Sequence, residues 1–573
     1  MMSSPTPSTC SLPTCKATFA TLTEALDYAA DSERGLNFYS GSGQLLEALG
    51  YRDLRAQALS LARRLLAAGF EPGERIALIA ETAGDFVRAF FACTYAGIAP
   101  VPMPLPVAFG GREGYVSHIR GMLGAARVSG LFAPASLVGW VAEAAEGLGL
   151  RAVGDLGVLD RFAEQGIDLP AVGADDIAYL QFSSGSTRFP SGITVTHRSF
   201  MANARAIVEH GLLIGEGDRG VSWLPFYHDM GLVGFLLAPL TAQISVDFMP
   251  THEFARRPLT WLSLISRNRG TLSYSPSFGY ELCARRATLN RPEGLDLSSW
   301  RGAGIGGDMI RPHILASFAE TFAASGFDRR AFVPSYGMAE TTLAVSFAPL
   351  QTGVEVDRVD MDVLEDEGRA VAPQAADARA RDFVLCGPPL PEHAVEVRDP
   401  DGSVLGERRL GRLFVRGPSL MSGYFDQPEE TAQTLSADGW LDTGDLGYRV
   451  GEALVITGRA KDLIIVNGRN IWPQDLEWSA ERVSGLRSGD VAAFSVDQGE
   501  AERIIVLVHC RTPDPEARQA LKAAVAGTLR AEHGAEARIL LVPPHSLPQT
   551  SSGKLSRSRA RQLFLRGTFG DGL

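Results

Sequence analysis

Short apolar runs alternate along this chain with stretches whose apolar positions recur every three to four residues. RIALIA from Arg75 leads into GDFVRAFFACTYAG from Gly84 and then APVPMP from Ala99, which reads as strand, helix, strand. That rhythm predicts an α/β fold of parallel sheets covered by helices. DIAYLQFSSGST from Asp176 and GVSWLPFYHD from Gly220 each read as a strand running into a loop. In such sheets ligands bind where loops leave the carboxyl ends of strands, and the polar residues of interest fall on those loops. The longest nearly apolar run, GLVGFLLAPL from Gly231, is about half of the ~20 residues a membrane helix needs and reads as a core helix.

Two changes of pattern divide the chain. From Gln351 to Asp382 helical periodicity fades and the sequence turns acidic and Ala-rich, as an insertion would. After Gly458 a shorter α+β unit begins, with the strand-like DLIIVNG, the helical PQDLEWSAERV and the strand ERIIVLVHC. The expected organisation is a tail over residues 1–18, a large domain over 19–458 carrying the 351–382 insertion, and a small domain over 459–573. The tail, rich in Ser, Thr and Pro, lacks the apolar centre of a secretory signal and is expected to be disordered.

At 573 residues the chain exceeds what one compact core holds, so more than one domain is expected. A net charge of -12 disfavours nucleic acid and anionic membranes as partners. The six cysteines form no CxxC pair or dense framework, as expected of reduced cytosolic thiols. These features predict a cytoplasmic protein without stable membrane insertion that handles small molecules.

The stretch FSSGSTRFPSG, Phe182 to Gly192, offers small residues whose amides and hydroxyls can close around phosphate oxygens. By itself it reads equally as a flexible Ser/Gly connection. It is not a Walker loop, since Ile193 follows Gly192 where Lys and Ser or Thr would stand. SYGMAETT at Ser335, GWLDTGDLGY at Gly439, GRAKDLIIVNGRN at Gly458 and SSGKLSR at Ser551 follow in order. Together the five stretches resemble the adenylate-forming superfamily, from about Tyr51 to Ala560. Arg188 and Ser191 stand where the usual phosphate loop carries Gly and Lys. That departure, with WLPFYHDMGLVG from Trp223, SPSFGYELC from Ser275 and the insertion, resembles the fatty acyl-AMP ligase branch.

The resemblance implies a large N-terminal domain, a small C-terminal domain that rotates between steps, and ATP with Mg²⁺. It implies formation of acyl-AMP from a fatty acid, then transfer to the phosphopantetheine thiol of an acyl carrier protein or a carrier domain of a polyketide or nonribosomal peptide synthase. Acyl-CoA synthesis, amino-acid activation and a catalytically silent nucleotide-binding protein are the alternatives. Catalysis at a phosphorus crowded by anionic oxygens is mainly positioning and neutralisation. Cations must therefore converge there. Ser183, Ser184, Gly185, Ser186 and Thr187 are expected to cradle phosphate, with Arg188 as a planar cation among them. Lys554 is implied to enter from the small domain and bridge carboxylate and α-phosphate.

Glu340 is a hard oxygen ligand suited to Mg²⁺, and equally a helix first-turn acid. Tyr336 offers an adenine-stacking face, next to Gly337, or packs in the core. Gly306 and Gly307 either let backbone approach the purine or make a tight turn. Asp445 can accept from two ribose hydroxyls or serve a turn. Arg459 is assigned to the same ribose or the phosphate, and Lys461 to the hinge. His228 and Asp229 are implied to lie by the acyl carboxylate; Asp229 reads also as an N-cap, and it would suit the ammonium of an amino acid.

Overall fold

The computed structural model describes residues 12–106, 111–182, 191–289, 292–375, 378–466, 469–497, 502–550 and 554–570. Arg75–Ile79 and Ala99–Met103 are parallel neighbours, with Ile79 opposite Met103, joined by the helix Gly84–Tyr95. A parallel pair cannot be closed by a tight turn, and the helix supplies the crossover. Phe86, Val87, Phe90 and Phe91 on that helix are all buried. Gly130–Phe132 and Ala152–Gly154 extend the pair to a four-stranded parallel sheet.

The larger sheet has eight strands, in the order Ala344–Phe347, Phe332–Gly337, Gly302–Ile305, Leu272–Ser275, Arg219–Ser222, Ser245–Phe248, Gly35–Tyr39 and Leu45–Gly50. Its interior is parallel, and both edges are antiparallel. The sequence rhythm predicts parallel pairing throughout. It fails at the edges because Tyr39 to Leu45 and Gly337 to Ala344 are links too short for a crossover. Ile177–Phe182 likewise pairs antiparallel with Gly192–Thr196, which pairs with Gly423–Tyr424.

The apolar run from Gly231 is helical throughout, with Leu232–Leu237 wound as a π-turn inside it. Among the described residues no helix is long and apolar enough to cross a membrane.

A four-stranded antiparallel sheet, Ala394–Arg398, Gly411–Arg416, Leu441–Val450 and Ala453–Arg459, precedes the small domain. Beyond it, Val491–Asp497, Glu502–His509 and Ala537–Val542 form a three-stranded sheet. Helices Pro473–Glu481, Pro515–His533 and Arg557–Leu565 accompany that sheet. These elements have cores of their own, one built around Ile464, Leu476, Val506 and Leu529 and another around Phe494, Leu507 and Leu540.

Residues 351–382 are more ordered than their faded periodicity suggests. Val356–Asp360 pairs antiparallel with Ala380–Val384, and the helix Met361–Glu367 lies between. Val359, Met361, Leu364 and Phe383 pack with Tyr448, Val455 and Trp472, so the insertion is held by apolar contacts from segments remote in sequence. The tail also departs from expectation in its described part. The Gln243 side chain accepts from Cys15 N–H at 2.7 Å and donates to Cys15 C=O at 3.0 Å, and Ala17 N–H donates to Thr241 C=O at 3.1 Å.

The small domain closes onto the large one through a charged seam. Trp478 lies beneath two guanidiniums, Arg311 of the large domain at 4.8 Å and Arg381 of the insertion at 4.9 Å from its ring centre. Arg311 also meets Glu481 at 3.0 Å, and Arg381 meets Asp475 at 2.6 Å. Burial pushes the Glu481 carboxyl up to about 7, with Glu477 adding to the rise and Arg311 and the Gly489 N–H opposing it. The folded state then binds this proton more tightly than the unfolded chain, so stability from Glu481 is full at low pH and falls as pH rises towards 7. Glu481→Gln is expected to flatten the pH dependence of the melting temperature between pH 5 and pH 8, measured by calorimetry against the parent protein. An unchanged slope would contradict this.

Candidate active site

One cavity of about 650 Å³ receives loops from the carboxyl ends of three parallel strands of the large sheet. Arg219–Ser222 leads to His228 and Asp229, Gly302–Ile305 to Gly306 and Gly307, and Phe332–Gly337 to Glu340. Tyr336 and Gly337 line the same space, as do Asp445, Arg459 and Lys461 from the antiparallel sheet and the turn after it, and Lys554 from the small domain. The folded chain thus gathers these residues from segments hundreds of positions apart. Ser183, Ser184, Gly185, Ser186, Thr187 and Arg188 lie outside the described residues. Their flanks, Phe182 and Ser191, both line the cavity.

Both glycines sit where a side chain would crowd a neighbour. A Cβ on Gly307 would sit 2.8 Å from Met230 Cε, and its φ is +77°. A Cβ on Gly306 would sit 2.9 Å from Ser335 Oγ. On the neighbouring turn, Glu340 accepts from the Tyr424 hydroxyl at 3.1 Å. Burial raises the Glu340 carboxyl above its usual range, against the pull of its hydrogen bonds and of Arg459.

Asp445 and Arg459 face each other across two antiparallel strands, which puts both side chains on one face. Asp445 accepts from the Tyr336 hydroxyl at 2.8 Å, and Arg459 Nε lies 3.3 Å from its other oxygen. Burial raises this carboxyl too, with Arg459 and Tyr336 opposing. Each carboxylate oxygen accepts about two hydrogen bonds, so Asp445 retains capacity for a ligand. Tyr336 is therefore more than a packing face, since its hydroxyl orients Asp445. Lys461 stands exposed at the rim, in the turn that follows Arg459.

The sequence offers Asp229 as the cap of the helix here, but the cap position is held by His228, whose Nδ1 accepts from the Met230 N–H at 3.3 Å, and Asp229 is the first helical residue. His228 is the residue before the first turn, and Asp229 Oδ1 accepts from the Met230 N–H at 2.8 Å. His228 Nδ1 lies 2.5 Å from the same oxygen. Burial alone would raise the Asp229 carboxyl, yet His228, Lys554 and the Met230 N–H together hold it below its ordinary value. Lys554 is already in the cavity, its Nζ 3.7 Å from where a Gly307 Cβ would stand.

Several contributors have no distinctive local pattern. Arg557 donates two hydrogen bonds to Glu477, at 2.8 and 2.6 Å, and one to Asp462 at 3.2 Å, anchoring the Lys554 segment to the small domain. Gln181 Nε2 donates to Tyr227 C=O at 2.7 Å and thereby fixes the loop before His228. Ile207, Leu212, Phe235, Tyr274, Leu343 and Phe347 give the cavity an apolar arm. The arm meets the charged wall in a single space.

The profile of the AMP-binding enzyme family matches residues 45–425. A Caulobacter vibrioides protein with the provisional name acyl-CoA synthetase is 55% identical over 556 residues, 97% of each chain. The medium-chain-fatty-acid–acyl-carrier-protein ligase JamA of Moorena producens is 32% identical over 577 residues, 96% of each chain. A solved structure from work on fatty acyl-adenylate ligases of E. coli and L. pneumophila superposes with a TM-score of 0.93 at 47% identity. That match covers 97% of this chain and 100% of the other.

Proposed function

The chain belongs to the AMP-binding enzyme family, the adenylate-forming ligases, and we propose that it activates a fatty acid with ATP and hands the acyl group to a carrier-protein thiol. The observation that carries this reading is the junction of an apolar arm with a charged wall holding Asp229, Glu340, Asp445, Arg459 and Lys554. In the first step a carboxylate oxygen bonds to the α-phosphorus and the bond to the β-phosphate oxygen breaks, releasing pyrophosphate. In the second, the phosphopantetheine sulfur bonds to the acyl carbon, AMP leaves, and the thiol proton passes to solvent.

Asp445 holds the ribose hydroxyls, with Tyr336 orienting it and stacking on the adenine. Gly306, Gly307 and Gly337 let the purine come close to backbone. Ser183 to Thr187 and Arg188 cradle the phosphates, joined by Arg459. Lys554 neutralises the approach of carboxylate to α-phosphate, and His228 with Asp229 lies beside that carboxylate. Glu340 fits a magnesium ion as one hard carboxylate beside nucleotide phosphates, the usual pattern for this metal. When bound, the ion neutralises phosphate charge.

The domain boundary falls near Gly458, with Lys461 at the hinge. The separate cores beyond Ile464 support that division. The insertion restrains the small domain's rotation and thereby keeps coenzyme A from serving as acceptor. Supporting this, Glu365 of the insertion is buried against Arg469 of the small domain, at 2.9 Å, and against Arg379. Amino-acid activation is disfavoured because Asp229 already has His228 and Lys554 as partners.

The test is a pyrophosphate-release panel across fatty acid lengths, with amino acids as controls, run with a phosphopantetheinylated carrier protein or with coenzyme A. Fatty-acid-dependent release with acylation of the carrier and little acyl-CoA is expected. Efficient acyl-CoA formation would favour the synthetase reading suggested by the Caulobacter relative's name, and release with amino acids alone would overturn the substrate class.

A further inference from the structure

We infer that Tyr424 and Thr342 are positioning residues that fix the Glu340 carboxylate relative to the strand Gly192–Thr196, through a segment bonded both to that strand and to the turn bearing Glu340. The segment is Ser419–Phe425. On one edge Ser422 N–H donates to Thr194 C=O at 3.0 Å and Phe425 N–H to Gly192 C=O at 2.7 Å, fastening it to the strand that follows residues 183–190. On the other edge it makes three bonds to the turn bearing Glu340. Met421 N–H donates to Glu340 C=O at 2.8 Å, Ser419 C=O accepts from the Thr342 hydroxyl at 2.7 Å, and the Tyr424 hydroxyl donates to Glu340 Oε1 at 3.1 Å.

The anchor points are themselves constrained. Thr342, buried and β-branched, ends the turn at φ +69° and ψ -54°, a conformation such residues adopt only when their surroundings impose it. Its hydroxyl bond to Ser419 is one imposing contact. Gly423 sits at φ +143°, where a Cβ would press within 2.8 Å of Thr431, and Tyr424 N–H donates to Thr431 Oγ1 at 2.9 Å. The phenol therefore comes off a fixed backbone. With Oε1 engaged by Tyr424, the Glu340 carboxylate loses rotational freedom and its remaining acceptor capacity is directed by the clamp rather than by chance.

This inference rests on the reading of Glu340 as a magnesium ligand. Its test is calorimetric binding of ATP to the full chain, titrated with MgCl₂ and repeated with chelator. Partners that orient a metal ligand are typically worth about 10- to 100-fold in metal affinity. Tyr424→Phe is expected to raise the Mg²⁺ concentration for half-maximal enhancement of ATP binding about tenfold, and to leave ATP affinity under chelator unchanged. Thr342→Val should act in the same direction and Thr342→Ser should restore the parent behaviour. An unchanged Mg²⁺ titration in Tyr424→Phe, or an equal loss of ATP affinity with and without Mg²⁺, overturns the inference. If Thr342→Val fails to fold, Tyr424→Phe, which keeps the ring, decides alone. Glu340→Gln separates the two layers: no change in Mg²⁺ dependence there defeats the metal reading itself, whereas a loss there and none in Tyr424→Phe defeats only the positioning role.

Discussion

Lys554→Ala is expected to slow acyl-AMP formation by ~10² or more, the scale of losing one preorganised oxyanion partner, while ATP binds nearly as tightly as before. The split follows from where the lysine stands. Its Nζ lies beside Gly307 and acts on Asp229, on the His228 side of the cavity, while Asp445, Tyr336 and Arg459 form a separate hydrogen-bonded group. Removing the ammonium leaves nucleotide contacts in place and exposes the incoming carboxylate to unscreened phosphate charge. Single-turnover pyrophosphate release, set beside the ATP dissociation constant of the same variant, checks both halves. Unchanged turnover would remove Lys554 from the reaction, and a parallel loss of ATP affinity would make it a binding residue instead.

The second large effect concerns acceptor choice. Glu365 is 2% exposed, and it holds Arg379 and Arg469 together on one carboxylate oxygen. Glu365→Ala removes the anion that Arg379 and Arg469 share and leaves Arg379 with Asp362, at 2.9 Å, as its carboxylate partner. Breaking a buried ion pair by removing one partner costs about 3–5 kcal/mol, and the partial exposure of Arg469 places this site towards the lower end. On the proposed reading, in which rotation of the small domain gates the second step, the freed domain is expected to raise coenzyme A-dependent acyl-CoA formation on the order of tenfold. Deletion of residues 351–382 should act in the same direction. A folded Glu365→Ala protein and a folded deletion variant that both gain no coenzyme A activity would refute the restraint.

Elements with strong local pattern were legible in the sequence, while pairings between them were not. RIALIA, GDFVRAFFACTYAG and APVPMP form the strand, helix and strand that their periodicity predicts. The antiparallel edges of the large sheet escaped that reading because apolar alternation identifies a strand but not its partner's direction. The insertion looked irregular because its order comes from Tyr448, Val455 and Trp472, contacts that leave no mark on its own periodicity. Tyr336, Glu340, Asp445 and Lys554, from separate stretches of sequence, line one cavity. Tyr424 escaped notice because its partner Glu340 is 84 positions away, and a lone tyrosine in a Gly-Tyr pair carries no signal of that bond. Arg557 lies inside the quoted SSGKLSR, yet its role emerges only from Glu477 and Asp462.

The measurement closest to the chemistry follows oxygen. A fatty acid labelled with ¹⁸O in both carboxylate positions is turned over with ATP and phosphopantetheinylated carrier protein, and AMP and pyrophosphate are analysed by mass spectrometry. Attack of the carboxylate on the α-phosphorus, followed by acyl transfer to sulfur, places one labelled oxygen in each AMP and none in pyrophosphate. Label in pyrophosphate or in free phosphate, or unlabelled AMP from an acylating reaction, would contradict the account.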